Sequence, residues 1–511
     1  MMMNWSDGYV ADIDYPAAFF PEQGPDHLNI ACILNGVEPL PPGRPFTYFE
    51  LGAGMGLTAN ILAASHPHGR FFANDFNPAH VASARQLADE AQLENMTQLE
   101  CSFADLAAGA VDLPPLDYIT MYGVYSWITP ANRASVVAFI RRYLKPGGIV
   151  YVNYNAMPGW SKILPLQRLL LDHANSYPAP RAQQLRQAHA LAQQLAQAGA
   201  AYFDDNPQLE QSMASLAQDK AGYLAHEYLN SGWQPCYHAD VAAELAEAKL
   251  DYIGAASLVR AFGDKLSPQQ QAVMDGIADA RWRETVRDYL LNTSFREDVY
   301  VRGARRMGAA RQAQWLAQLG LVLTAVPETA LVPAGPEAAS AAATECQSVL
   351  AALAAGPRSF AELAPQCAGG LAAVARIAAQ LVAAGQAACF FLENERSDAA
   401  PAHRLNRAIA AQSTLSDHYQ ALAAPRLGSG LRSGLAQRLV YHCLAQAPAA
   451  APPEREALCR QVAALLHAHL AACVPGSPAE AALQALREGL PRTVAAILEH
   501  RLPIWRSLNM L

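Results

Sequence analysis

The chain has 511 residues, 52% hydrophobic and 16% charged, which is more than one hydrophobic core usually organises and implies two or three domains. Its nine cysteines form no CxxC pair and are odd in number, which argues against a disulfide framework or a structural zinc site and for buried thiols in a reducing compartment. The net charge of −8 sits in residues 1–160, with 7 Lys+Arg against 15 Asp+Glu; no basic face for nucleic acid, no leader-like start at Met1–Gly8 and no run of roughly 18 apolar residues point to a soluble cytoplasmic protein without a membrane partner.

From residue 46, short apolar runs alternate with helical stretches, the pattern of a doubly wound α/β sheet. Strands are expected at Phe46–Leu51, Arg70–Asp75, Thr97–Cys101, Leu116–Tyr122 and Gly148–Asn153, with helices around 56–65, 78–92 and 131–144. Lys145-Pro146-Gly147-Gly148 is expected to stop the last of these helices, glycine supplying the cap and proline preventing resumption. Residues 1–160 then form a cofactor-binding core. Residues 161–225, rich in Gln, Ala and Leu, read as a helical insertion beside the cleft. In 226–324 a helix at Ala239–Lys249 and strands at Leu250–Ala255 and Phe295–Arg302 would complete a Rossmann-like sheet of seven strands.

The Pro-rich stretch 325–343 is expected to be a linker and a domain boundary. Beyond it, 344–511 reads as a mainly helical C-terminal domain whose first part is winged-helix-like. Its would-be recognition helix at 370–380 carries the single basic residue Arg376, so a packing role is expected rather than DNA reading.

Chemistry concentrates near the first strand. Glu50 followed by Gly52-x-Gly54-x-Gly56 is a backbone suited to close ligand approach, with Ala53 inside the loop. Nineteen residues after Gly56, Asp75 ends the second strand, where a carboxylate can accept both hydroxyls of a ribose. Leu57 breaks GxGxxG, which disfavours a dinucleotide and its pyrophosphate. Phe76 could cover an adenine, and Asp105, after Ala104, could accept from its N6 amine. Together these point to S-adenosylmethionine (SAM). Tyr122, Tyr125 and Trp127, just beyond the fourth strand, are the candidate catalytic pocket for an acceptor, with packing of the helical insertion as the alternative. No metal is expected: His226-Glu227-Tyr228-Leu229-Asn230 lacks the second histidine of HExxH. His238 reads as structural, and Arg296-Glu297-Asp298 as a solvated strand edge, with a charged hairpin over the cleft as the alternative.

The motifs Tyr122–Pro130, Tyr151–Trp160 and Tyr223–Leu229 resemble the methyltransferases that carry a methyltransferase regulatory domain, a group that includes rickettsial lysine methyltransferases of outer-membrane proteins. The resemblance runs from about residue 8 to 303 and departs at Tyr122, where that family usually has His. It implies SAM-dependent N-methylation of protein lysine. The alternatives are methylation of an amine-bearing small molecule, or a non-catalytic SAM-binding interaction protein; a second copy of the chain stays open as a partner.

Overall fold

The computed structural model describes residues 17–177, 179–209, 213, 230, 232–264, 266–325, 341–447, 454–473 and 477–511. The motif at 223–229 with His226 and Glu227, the end of the expected insertion, and 326–340 of the expected linker lie outside the described residues.

Seven strands form one sheet in the order β3-β2-β1-β4-β5-β7-β6: β1 Phe46–Leu51, β2 Gly69–Asp75, β3 Met96–Glu100, β4 Leu116–Met121, β5 Leu144–Asn155, β6 Leu250–Ala255 and β7 Phe295–Arg302. Strand β7 runs antiparallel to both of its neighbours, and the other pairings are parallel. The order reverses between β1 and β4. Ligands of open α/β sheets bind at the carboxyl ends of the strands at such a switch point.

The central strands are apolar on both faces, as strands covered by helices on each side must be. Tyr48, Tyr118 and Tyr151 point to one layer, which holds α1 (Pro25–Leu34), α2 (Leu57–Ser65) and α3 (Pro78–Glu90). Phe49, Ile119 and Val150 point to the other, with α4 (Phe103–Ala108), α5 (Pro130–Tyr143) and the helix His238–Ala246. The helices on the cleft side start on local caps: Asn77 accepts from the Ala79 amide, Ser102 forms a capping box with Asp105, and Thr129 accepts from the Asn132 amide.

The expected glycine stop after α5 is not used as one. The helix passes straight into β5 at Leu144, whose φ of −70° and ψ of 128° are already extended. Leu116 pairs with Leu144 and Tyr118 with Ile149, so Lys145-Pro146-Gly147-Gly148 bulges out of the ladder and Gly147 takes φ +79° inside the bulge.

The helical insertion has a small core of its own. Helices α6 (Leu164–Ser176) and α7 (Arg181–Gln197) bury Leu166, Leu170, Leu185, Ala188 and Ala192 against each other. At its base Trp160 meets Trp233 edge-on at 4.9 Å and donates from Nε1 to the Ser294 carbonyl at 2.7 Å.

The domain boundary expected at 325–343 needs correction. Strand β8 (Leu319–Leu323), before it, pairs antiparallel with β9 (Arg358–Ser359) and β10 (Ala387–Phe391) after it. The reason is visible in Leu319-Gly320-Leu321-Val322-Leu323, buried at every position and therefore needing partners on both edges. Helices Ala341–Ala354, Phe360–Leu363 and Gly370–Ala383 accompany this sheet. One hydrophobic cluster then runs without a break from Leu28, Ile61 and Leu87 of the α1–α3 layer through Val374 and Leu405 to Trp505. Polar contacts stitch the same seam: Ser65 Oγ donates to the Ser429 carbonyl at 2.7 Å, and Asn394 Nδ2 to Asp26 at 2.6 Å. Among the described residues no single helix is long and apolar enough to cross a membrane.

Candidate active site

A cavity opens at the carboxyl ends of β1, β2 and β4, between α2, α3 and the N-terminal segment. Its floor is the glycine loop. Gly52, Gly54 and Gly56 all have φ between +53° and +68°, the left-handed region that side chains disfavour. The empty sites of their absent side chains separate their roles. A Cβ on Gly56 would lie 2.6 Å from Ala84 of α3, so this glycine serves helix packing, whereas at Gly54 nothing lies within 4 Å.

The loop's amides are already engaged by the protein. Ala53 donates to the Asn74 carbonyl, Gly56 to the Ala53 carbonyl, and Gly54 to Asp75 Oδ2 at 2.9 Å. In the first turn of α2 the Ala59 amide gives its hydrogen bond to Glu50. The place where a dinucleotide fold cradles phosphate therefore holds the chain's own carboxylate. A ligand with cationic groups fits this loop better than one with a pyrophosphate.

Glu50 is 4% exposed and lines the cavity. One carboxylate oxygen accepts from Gln23 Nε2 at 2.9 Å and the other has no hydrogen-bond partner. Burial pushes its carboxyl up to about 7, partly offset by the bonds from Gln23 and Ala59. Such an orphaned oxygen suits the ammonium of a methionine moiety. Asp75 ends β2 at the cavity wall, its Oδ1 accepting from the Asn77 amide at 2.9 Å. It thus braces the loop as well as facing the ligand space. Phe76, Ala53 and Gly52 line the cavity as expected, and the residues present fit the adenosine and methionine parts of SAM.

Two expected cofactor residues lie elsewhere. Asp105 is exposed and accepts from the Ser102 amide and hydroxyl at 3.0 and 2.7 Å, so its carboxylate caps α4. Neither it nor Ala104 lines the cavity; Cys101, Ser102 and Phe103 do. The spacing after β3 placed an acid correctly in sequence, but the helix begins one turn too early to leave it free.

The candidate catalytic aromatics divide in the same way. Tyr122 and Trp127 line the cavity. Tyr125 is fully buried in the opposite layer, donates to Glu244 and lies beneath the Arg133 guanidinium at 5.7 Å. It is a core residue. Trp127 also reaches Trp233 at 6.0 Å, a residue that follows the helical insertion, so the same side chain that faces the cavity packs against the segment beyond the insertion.

Long-range neighbours complete the wall. Phe20 stacks on Tyr122 with ring centroids 3.5 Å apart and planes 15° apart, and Tyr122 lies nearly parallel to Tyr151 at 6.5 Å. Tyr151 donates to Glu297 at 3.3 Å. Burial first, and then nearby Glu22, push the Glu297 carboxyl up to about 7, while Tyr151 and Arg260 pull it down. Phe295, 41% exposed, closes the group at 6.3 Å from Tyr122. A ladder of rings therefore leads from the cavity to two carboxylates. Sequence reasoning missed Phe20, Gln23, Glu22 and the isolated role of Glu297; the Phe19-Phe20-Pro21 run was the one local signal.

Arg296 and Asp298 are not solvated either. Both are buried on the opposite face, Arg296 bonding Asp288 at 2.7 and 2.9 Å and Asp298 at 3.0 Å, and Asp298 also receiving Tyr154 at 2.7 Å. Burial would raise the Asp298 carboxyl, but Arg296 and His238 hold it at about 2. His238 pairs with Asp298 at 3.1 Å, so its place is in this network. Among the described residues no group of three or more His, Cys, Asp or Glu side chains could hold a metal ion.

Comparison with known proteins agrees with this geometry. Residues 49–150 match the family model of a methyltransferase domain, and residues 220–302 that of a predicted methyltransferase regulatory domain. The chain is 38% identical over 322 residues to the uncharacterized protein sll1526 of Synechocystis sp., covering 63% of each chain. It is 21% identical over 324 residues to the uncharacterized protein RP789 of Rickettsia prowazekii, covering 63% of this chain and 57% of that one. The match thus spans less than two thirds of these relatives' length. The fold is similar to that of PKMT2 from Rickettsia typhi, solved in complex with AdoHcy, with a TM-score of 0.69 at 18% identity over 97% of this chain and 99% of that one.

Proposed function

From the premise that the chain carries a SAM-dependent methyltransferase domain followed by a methyltransferase regulatory domain, we propose that it methylates the side-chain amine of a protein lysine. The observation that carries this reading is the ladder Phe20, Tyr122 and Tyr151 with Glu297 and Glu22 at its far end, beside the cofactor cavity. Aromatic faces attract a cation at little desolvation cost, and carboxylates attract it at longer range.

When bound, SAM supplies a methyl group on a sulfonium, open to in-line attack. The remaining task falls to the chain. An amine attacks only as the neutral base, from an ordinary value near ~10.4. Glu297, its carboxyl pushed up to about 7 by burial and by Glu22, is suited to take up the amine's proton. Tyr122 and Trp127 hold the amine in line. Alignment of this kind lowers a bimolecular barrier by roughly 7–11 kcal/mol, so no stronger base is required. The half-exposed Phe295, 6.3 Å from Tyr122, supports an acceptor presented on a larger molecule over one enclosed on all sides.

Incubation with methyl-labelled SAM and fractionated bacterial lysate tests the reading. Label should enter protein and be recovered as methyl-lysine after hydrolysis. Label confined to the small-molecule filtrate would replace the acceptor class. No label in any fraction, with SAM still bound, would favour a non-catalytic binder.

A further inference from the structure

His80, in the first turn of α3, is 6% exposed and lines the cofactor cavity beside Asp75 and Phe76. Neither ring nitrogen has a hydrogen-bond partner, although both are buried. Nδ1 lies 3.4 Å from Asp75 Oδ1, too long for a good hydrogen bond but close enough to hold the ring against the carboxylate. A buried polar group left unpaired costs stability, and native proteins rarely tolerate two on one side chain without a use for them.

Asp75 itself is less free than a ribose clamp would need. Its Oδ2 accepts from the Gly54 amide and its Oδ1 from the Asn77 amide. Each oxygen keeps a lone pair, but their directions are partly spent on bracing the loop. The neighbouring imidazole offers what a ribose edge still lacks, a donor and an acceptor in fixed positions on the same wall. We infer that His80 is an adenosine-recognising residue, which shares the ribose hydroxyls of the cofactor with Asp75. This rests on the assignment of the cavity to SAM.

Titration calorimetry with AdoHcy, and with its 2′-deoxy and 3′-deoxy analogues, tests the inference on the full chain. His80→Ala should weaken AdoHcy at least tenfold, and His80→Gln, which keeps a donor and an acceptor, should recover a large part of the loss. One of the deoxy analogues should lose less affinity on His80→Ala than AdoHcy does, because the hydroxyl that His80 served is already gone. The unliganded His80→Gln variant should keep the melting temperature of the unsubstituted protein, since glutamine fills much of the buried site and the 3.4 Å contact with Asp75 is not a full hydrogen bond. Affinity within twofold of the unsubstituted protein would overturn the inference and leave the cofactor reading intact. So would a parallel loss for all three ligands with a lowered unliganded melting temperature and no rescue by Gln, the signature of a structural role. If the unsubstituted protein failed to bind AdoHcy, the cofactor reading would fall and this inference with it.

Discussion

The two halves of the cavity are built on different principles. The cofactor half is made by backbone: a strand, three glycines in left-handed conformation and a carboxylate that ties the loop to the next strand. The proposed acceptor half is made by side chains: Phe20 and Tyr122 line the cavity, with Tyr151 and Glu297 behind them, all far apart in the chain. Backbone sites leave a dense local trace in sequence because each position has a conformational requirement. Side-chain sites leave almost none, since any aromatic or acid could belong to the core or to solvent.

The largest test of this contrast is Asp75→Ala. It removes both the proposed cofactor contact and the brace of the Gly54 amide, each a charge-assisted hydrogen bond, so AdoHcy affinity should fall by roughly a hundredfold in calorimetry. A loss below threefold would separate the loop from the ligand.

Glu297→Gln addresses the other half. It should lower kcat/KM for a lysine-bearing acceptor by about tenfold and flatten the fall in rate below pH ~7, while AdoHcy affinity stays unchanged. A matching loss of AdoHcy affinity would erase the division between the halves.

Glu50→Gln should move stability and binding in opposite directions. Folding raises the Glu50 carboxyl from its ordinary 4.5 to about 7, so the folded state binds more protons and this group's contribution falls as pH rises between those values. At pH 8 the charged form costs the unliganded protein up to about 3 kcal/mol, which the substitution relieves and a thermal melt would record. The same substitution should weaken SAM about tenfold and abolish the decline in SAM affinity below pH 7. An unchanged pH profile would place the cation elsewhere.

Smaller effects separate core from site. Tyr125→Phe should cost about 1–2 kcal/mol through its lost bond to Glu244 and leave both binding events alone. Asp105→Asn should change AdoHcy affinity less than twofold, its cost confined to the cap of α4. A tenfold loss there would restore the adenine role that the spacing suggested.

The sheet was legible to within a residue or two at nearly every strand because apolar periodicity and glycine punctuation are local. The bulge at Lys145–Gly148 was not, since proline and glycine signal a break without saying whether helix or strand resumes. Asp105 was misread for a related reason: the same acid that can face an adenine also completes a capping box with Ser102, and only the start of α4 decides. His80 carries no local signal in the sequence; only the packing of α3 sets it against Asp75 at the cavity. The linker misled because a Pro-rich stretch was equated with a domain edge, whereas the chain leaves β8 and returns to pair with it.

The unbroken apolar seam between the α1–α3 layer and the C-terminal region makes the two a single cooperative unit. A chain cut at the Pro-rich stretch would leave β8 with an open edge on both sides and bare the outer faces of α2 and α3, both hallmarks of aggregation. His418 of the C-terminal region touches Met55 of the glycine loop, so the floor of the cavity is itself part of the seam, braced from a point hundreds of residues along the chain.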